Sequence, residues 1–172
     1  MVRCAGCGGL VADVKGPTHR YMASAPGCWE AYGDLVVRAA QQPAATALRH
    51  THVDCFAAQH PTAAATDRRQ RQSVAVHLVA LCLHLEHHIA GVHLAPLRQQ
   101  VSHRTRHAAS LGDWPFLEPP GHLGDIRAID LQGAADARQL VDLGERWPIT
   151  VWQAWAEHHE QVREWAHLCL DD

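Results

Sequence analysis

Three cysteines and a histidine near the start of the chain carry the clearest chemistry: Cys4-x2-Cys7-Gly-Gly, then His19 and Cys28. Two thiolates two residues apart can grip one metal ion only if the backbone turns tightly between and after them. The glycines at 8 and 9 permit that turn and free amides to bond the sulfurs. The spacing Cys4-x2-Cys7-x11-His19-x8-Cys28 offers a Cys3His set, which suits zinc or another divalent transition metal. Zinc takes four protein ligands when structural, and three plus water when catalytic. His19 is therefore either the fourth ligand or a substrate-facing residue beside an open coordination position. Cys28 falls at an expected helix start, where the dipole favours a thiolate.

A second set of groups lies deeper in the chain. Asp54 sits on an apolar helical segment, His60 at its end, His77 in the apolar stripe of the next helix and His159 on a tryptophan-bearing face of the last. Bundles build metal and acid/base sites from such side chains on facing helices, and imidazole titrates near neutrality. Asp54, His60 and His77 are read as candidate catalytic groups, and His159 as a further candidate metal ligand. The opposing reading takes each histidine as a hydrogen-bonded core residue and pairs Asp54 with an arginine. Glu86 is expected in a surface ion pair, and most of His84, His87, His88 and His93 point off the apolar stripe, so the run is read as solvated. No Gly-x-Ser-x-Gly elbow, phosphate-cradling loop or dinucleotide fingerprint occurs.

The elements that must position these groups are helical. Residues 1–27 contain five glycines and two prolines and form a loop or knuckle. Helices are expected from Cys28 to about Gln42, from Pro43 to His60-Pro61, from Arg68 to about Ile89 and from Leu94 to about Ala109. A long connection at 110–125 should dock through Trp114, Phe116 and Leu117. A helical turn at Asp125–Leu131 and a C-terminal helical segment, Ala134–Cys169, broken or kinked at Pro148, complete the chain. The expected fold is all-α: a single domain over 1–172, with a zinc-knuckle-like loop at 1–27 and a bundle of about four to six helices over 28–172.

Composition narrows the classes of function. With 47% hydrophobic and 19% charged residues the chain belongs with globular proteins, and a net charge of −3 leaves no footprint for nucleic acid. The most apolar run, Val74–Leu85, is interrupted by His77 and His84, so no membrane span is expected. No secretory leader precedes Cys4, which points to the cytoplasm, where six cysteines remain reduced. Cys55, Cys82 and Cys169 fall in helical apolar patterns and read as small buried hydrophobes. Lys15 is the only lysine and Ala is abundant, a bias toward GC-rich coding that also inflates the count of fifteen histidines.

Taken together, Cys4-x2-Cys7-Gly, Gly16-Pro-Thr-His19-Arg-Tyr-Met22, Pro26-Gly-Cys28-Trp29, Val53-Asp54, Gln59-His60-Pro61, Ser73-Val-Ala-Val-His77-Leu78, Leu117-Glu-Pro-Pro120 and Val151-Trp-Gln-Ala-Trp155 resemble an uncharacterised bacterial family of unknown function. The resemblance spans nearly the whole chain. It implies a single small domain and places His19, Asp54, His60 and His77 in the family's motifs, but not the run His84, His87, His88. Ala5 stands where the family has proline, which leaves the ligands intact.

The expected function is a small zinc-type metalloenzyme acting on a small molecule by metal-assisted or acid/base chemistry. The competing expectation is a non-enzymatic, zinc-stapled helical module for interaction or regulation. A third is metal handling by the exposed histidines.

Overall fold

The computed structural model describes residues 1–62, 66–104 and 114–170. Two strands of two residues, β1 (Val2–Arg3) and β2 (Leu10–Val11), pair antiparallel with Val2 opposite Val11. They close the loop that holds Cys4 and Cys7. Seven α-helices follow among the described residues: α1 (Pro26–Ala40), α2 (Thr46–Ala58), α3 (Arg68–Leu85), α4 (Leu94–Arg104), α5 (Ala128–Gln132), α6 (Ala137–Ala154) and α7 (His159–Leu170). The fold is thus helical with an N-terminal cysteine loop, as expected. None of these helices is long and apolar enough to cross a membrane.

The helix count exceeds the expected range for two local reasons. The turn anticipated near 125–131 is a true, if single-turn, helix α5. Its C-terminal carbonyls are held by Arg38 of α1, which donates to the oxygens of Leu131, Gln132 and Ala134. The C-terminal segment divides into α6 and α7 at Ala156–His158, a 3-10 turn, and not at Pro148. Pro148 lies within α6, where the residue four positions earlier is Gly144. That glycine packs its backbone against Leu48, so α6 approaches α2 closely at this point.

Other boundaries differ in the same local way. Pro43 does not open α2; its carbonyl accepts the Thr46 hydroxyl, and the helix starts at Thr46. The third helix ends at Leu85 rather than Ile89, because His88 takes a left-handed conformation (φ 55°) and the Ile89 amide turns back to the Leu83 carbonyl. The expected end of the fourth helix, beyond Arg104, lies outside the described residues.

Two central helices organise the packing. α2 touches α1, α3 and α6, while α3 also receives α4 and α7. Buried Leu48, Phe56, Leu78, Leu81, Trp147, Trp155 and Trp165 form the core between them. Cys55, Cys82 and Cys169 are buried there and form no disulfide. The connection before α5 docks as anticipated. Trp114 is fully buried, edge-on to Trp165 at 5.4 Å, and its carbonyl accepts from Arg71.

α1 starts hard against the N-terminal loop. A Cβ at Gly27 would lie 2.2 Å from the Ala12 carbonyl oxygen, whereas one at exposed Gly33 meets nothing within 4 Å. Gly27→Ala is therefore expected to lower stability by about 1–3 kcal/mol through overpacking. Gly33→Ala is expected to raise it by roughly 0.5–1 kcal/mol through helix propensity. Denaturant unfolding of the two variants checks both signs.

Candidate functional site

The N-terminal loop brings Cys4 and Cys7 to the start of α1. The Cys4 amide donates to the Gly9 carbonyl and the Gly8 amide to the Cys4 carbonyl, with Gly8 at φ +71°. Cys28 occupies the first turn of α1, and its amide donates to Ala25. The Ala25 amide donates to the Cys4 sulfur at 3.3 Å, the kind of bond that stabilises a thiolate. The fourth member comes from far along the chain: His60, just past the end of α2.

The metal-binding atoms of Cys4, Cys7, Cys28 and His60 all lie within 4.8 Å of one another, and all four residues are buried. Cys7 and Cys28 sulfurs stand 3.8 Å apart, and the His60 Nε2 is 3.3 Å from the Cys28 sulfur. Zn–S bonds of about 2.3 Å at tetrahedral angles require an S···S edge of about 3.8 Å, the Cys7–Cys28 separation, so the donor set fits a tetrahedral divalent metal ion in number and type. His60 is set for ligation by its other nitrogen. Nδ1 donates to the Phe56 carbonyl at 2.6 Å, one turn back on α2, which leaves the lone pair on Nε2 aimed at the sulfurs. The ring also stacks on Phe56 at 3.9 Å.

Electrostatics tell the same story. Cys4 is held far below the ordinary thiol range, first by its hydrogen bond with Cys28 and then by that with Cys7. Cys28 is pushed far above that range by the same bonds and by burial. Burial alone would lower the His60 pKa, but hydrogen bonding to Cys4 and Cys7 overrides it and carries the group up to about 9. With no ion bound, the His60 ring is thus protonated at Nε2 as well, beside the Cys4 thiolate, and its lone pair is freed only when that proton leaves. A divalent cation would hold all three sulfurs as thiolates.

His19 is not part of this cluster. Its Nδ1 accepts the Tyr21 amide at 3.2 Å, so in the neutral ring the proton sits on Nε2 and no lone pair is left for a metal. The ring leans on Trp29 at 5.4 Å, and burial followed by the charge of His77 lowers its pKa. His60, expected among the catalytic groups, takes the place His19 was expected to fill. Sequence spacing favoured a local fourth ligand, and a residue 32 positions beyond Cys28 is invisible to that reasoning.

Asp54 and His77 do meet. Asp54 is wholly buried, and its Oδ1 accepts from His77 Nδ1 at 2.8 Å and from Arg98 Nε at 2.7 Å. Its Oδ2 accepts a second Arg98 nitrogen, which also donates to the His50 carbonyl. His77, 14% exposed at its side chain, therefore carries its proton on Nδ1 and presents Nε2 with a lone pair. The opposing expectation, Asp54 paired with an arginine, is met by Arg98 of α4, although the sequence did not single out that residue. Beside this set Tyr32 and His52 share a hydrogen bond of 2.7 Å, and burial pushes the Tyr32 hydroxyl pKa up.

His159 stands apart. It stacks on Trp152 at 3.8 Å and donates from Nε2 to the Trp152 carbonyl, so it serves the α6–α7 corner. Glu86 makes the expected ion pair, with Arg163 at 2.7 Å, and also accepts from Trp152. His84 bonds the Ile89 carbonyl, and His87 meets His167 edge-on. Among the described residues, none of these joins a second group of three metal-binding side chains.

No curated protein and no solved structure shows a significant match to the chain. A family model described as a family of unknown function, DUF5946, matches residues 2–156, a span that contains every member of both clusters. The chain belongs to that family, as the ordered motifs of its sequence had suggested.

Proposed function

We propose that the protein is a small zinc enzyme in which the ion is structural and the chemistry belongs to His77. The observation that supports this most is the Asp54–His77 pair. A fully buried carboxylate fixes the imidazole tautomer, and the other ring nitrogen is left as a base. Zinc on Cys4, Cys7, Cys28 and His60 would have four protein ligands in a buried site and no open position, which is the structural pattern. When bound, it supplies the charge that holds three thiolates beside an imidazole.

The residues of the chain then divide the work. His77 Nε2 accepts a proton from water or from an X–H group of a small-molecule substrate. Asp54, held by both forks of Arg98, stabilises the imidazolium that forms. His19, carrying its proton on Nε2 in the neutral ring, would donate a hydrogen bond to the charge that develops on the substrate. Trp29 and Tyr21, which pack on His19, would shield the site from bulk water. The reduced cysteines suit a cytoplasmic setting.

The other reading is a zinc-stapled module without catalysis. It draws on the bidentate Arg98–Asp54 pair, which would serve equally as a buried clamp between α2 and α4.

The metal and stability expectations hold under both readings, and the catalytic test separates them. His60→Ala is expected to lose the ion, which is about one zinc per chain in the parent, whereas His19→Ala keeps it; metal analysis after gel filtration checks this. Arg98→Ala strands the Asp54 carboxylate and is expected to cost about 3–5 kcal/mol in urea unfolding. For catalysis, an activated ester such as p-nitrophenyl acetate serves as a reporter of a basic imidazole. His77→Ala, with zinc retained, is expected to lower that hydrolysis by about 10²–10⁴-fold, and Asp54→Asn to lower it as well. Parent protein no faster than an equal concentration of free imidazole, with His77→Ala unchanged, would favour the module.

A further inference from the structure

We infer that a cavity beside the cysteine loop, which His77 does not line, is a binding site for a small organic anion with a flat apolar body. A cavity of about 560 Å³ opens there between Gly6, Cys7 and Gly8 on one side and the 116–123 segment on the other. Two guanidinium groups, Arg3 and Arg127, line it. Each is pinned by a single hydrogen bond to the loop backbone: Arg127 Nε donates to the Cys7 carbonyl at 2.9 Å, and one Arg3 terminal nitrogen to the Gly8 carbonyl at 2.9 Å.

That pinning leaves both terminal nitrogens of Arg127, and Nε and one terminal nitrogen of Arg3, with no bond among the described residues. Neither arginine is in an ion pair with a described carboxylate. Asp130, which borders the neighbouring cavity, spends its Oδ2 on the Arg127 backbone amide as a helix cap. Two guanidinium groups with no ion-pair partner among the described residues, against the one carboxylate of Glu118 in the same cavity, form a local surplus of positive charge that a carboxylate or phosphate would neutralise bidentately.

The rest of the cavity fits the remainder of such a molecule. Phe116, Pro119 and Pro120 offer flat apolar surface opposite the arginines. Gly8 adds room, since a side chain there would meet nothing within 4 Å. The same three residues, Arg3, Gly8 and Arg127, also border a neighbouring cavity of about 380 Å³, so the guanidinium groups are approached from two sides. Glu118 is the one carboxylate lining the larger cavity, and His122 there is engaged with Asp125 at 3.4 Å. Binding would tighten the loop around Cys7, because the arginines that take the anion are those that hold the Cys7 and Gly8 carbonyls.

The test uses zinc-loaded full-length protein titrated with inorganic phosphate, phenyl phosphate and benzoate, followed by calorimetry and by the amide signals of Gly6 and Gly8. One saturable site is expected, at least tenfold tighter for phenyl phosphate or benzoate than for inorganic phosphate, and the preferred head group identifies the class. Arg127→Gln and Arg3→Gln should each weaken it at least tenfold, and Glu118→Gln should strengthen it. Should Arg127→Gln lose zinc, Arg3→Gln and Phe116→Ala decide, because neither side chain hydrogen-bonds a metal ligand. The inference is overturned if no probe saturates below about 10 mM, or if Arg3→Gln and Phe116→Ala leave the affinity unchanged. His77→Ala is expected to bind as the parent does, so this site stands or falls separately from the proposed catalysis.

Discussion

The hydrogen bond from His60 Nδ1 to the Phe56 carbonyl is the contact on which the rest of the arrangement turns. It fixes which nitrogen of the ring is free, and the stack on Phe56 fixes the plane in which that nitrogen points. The cysteine loop is then built around it at close quarters. A Cβ on Gly6 would lie 2.6 Å from both the His60 ring and the Ala23 carbonyl, so only glycine fits between the ligands. Neighbouring positions at the end of α2 anchor the other side of the fold. Gln59 donates to the Leu123 and Ile126 carbonyls and accepts from Trp147, and the Ala58 carbonyl accepts from Trp155.

That end-of-helix arrangement also governs the second cluster. Asp54 and His60 are six residues apart, about 600° of helical rotation, so they leave α2 on different sides. With His60 held at the sulfurs, α2 cannot turn about its axis, and Asp54 must face α3 and α4. There its carboxylate, with no exposure to water, needs the full complement of donors that His77 and Arg98 provide. The orientation of His77 is thus set at one remove by groups in the cysteine loop. One helix serves two sites that never touch.

Much of this was legible in the residues themselves. Helical periodicity located α3 to within a few residues, and the Cys4-x2-Cys7-Gly-Gly pattern with Cys28 named three members of the cysteine cluster. Asp54 and His77 were recognisable as polar groups on apolar faces, which is the signature of a buried pair. What failed was assignment between the two clusters. His19 lies within the cysteine segment and looked local, whereas His60 reaches it only through the tertiary path of α2. Arg98 escaped notice because charge on a polar helix usually faces water. Pro148 seemed a break because its local cost is certain, while the close approach of Gly144 to α2 is a property of the assembled fold.

The separation of His60 from Cys28 by 32 residues has a consequence for how the chain reaches its native state. In a finger whose ligands all lie within one short segment, the ion nucleates structure before anything else has formed. Here three sulfurs can collect an ion early, but the fourth donor arrives only when α2 has docked on α1. Closing that larger loop carries an entropic cost that grows slowly with its length, and the docked helices must offset it. Full coordination would therefore be a late event, and a bound ion would act as a cross-link between the first turn of the chain and its central helix.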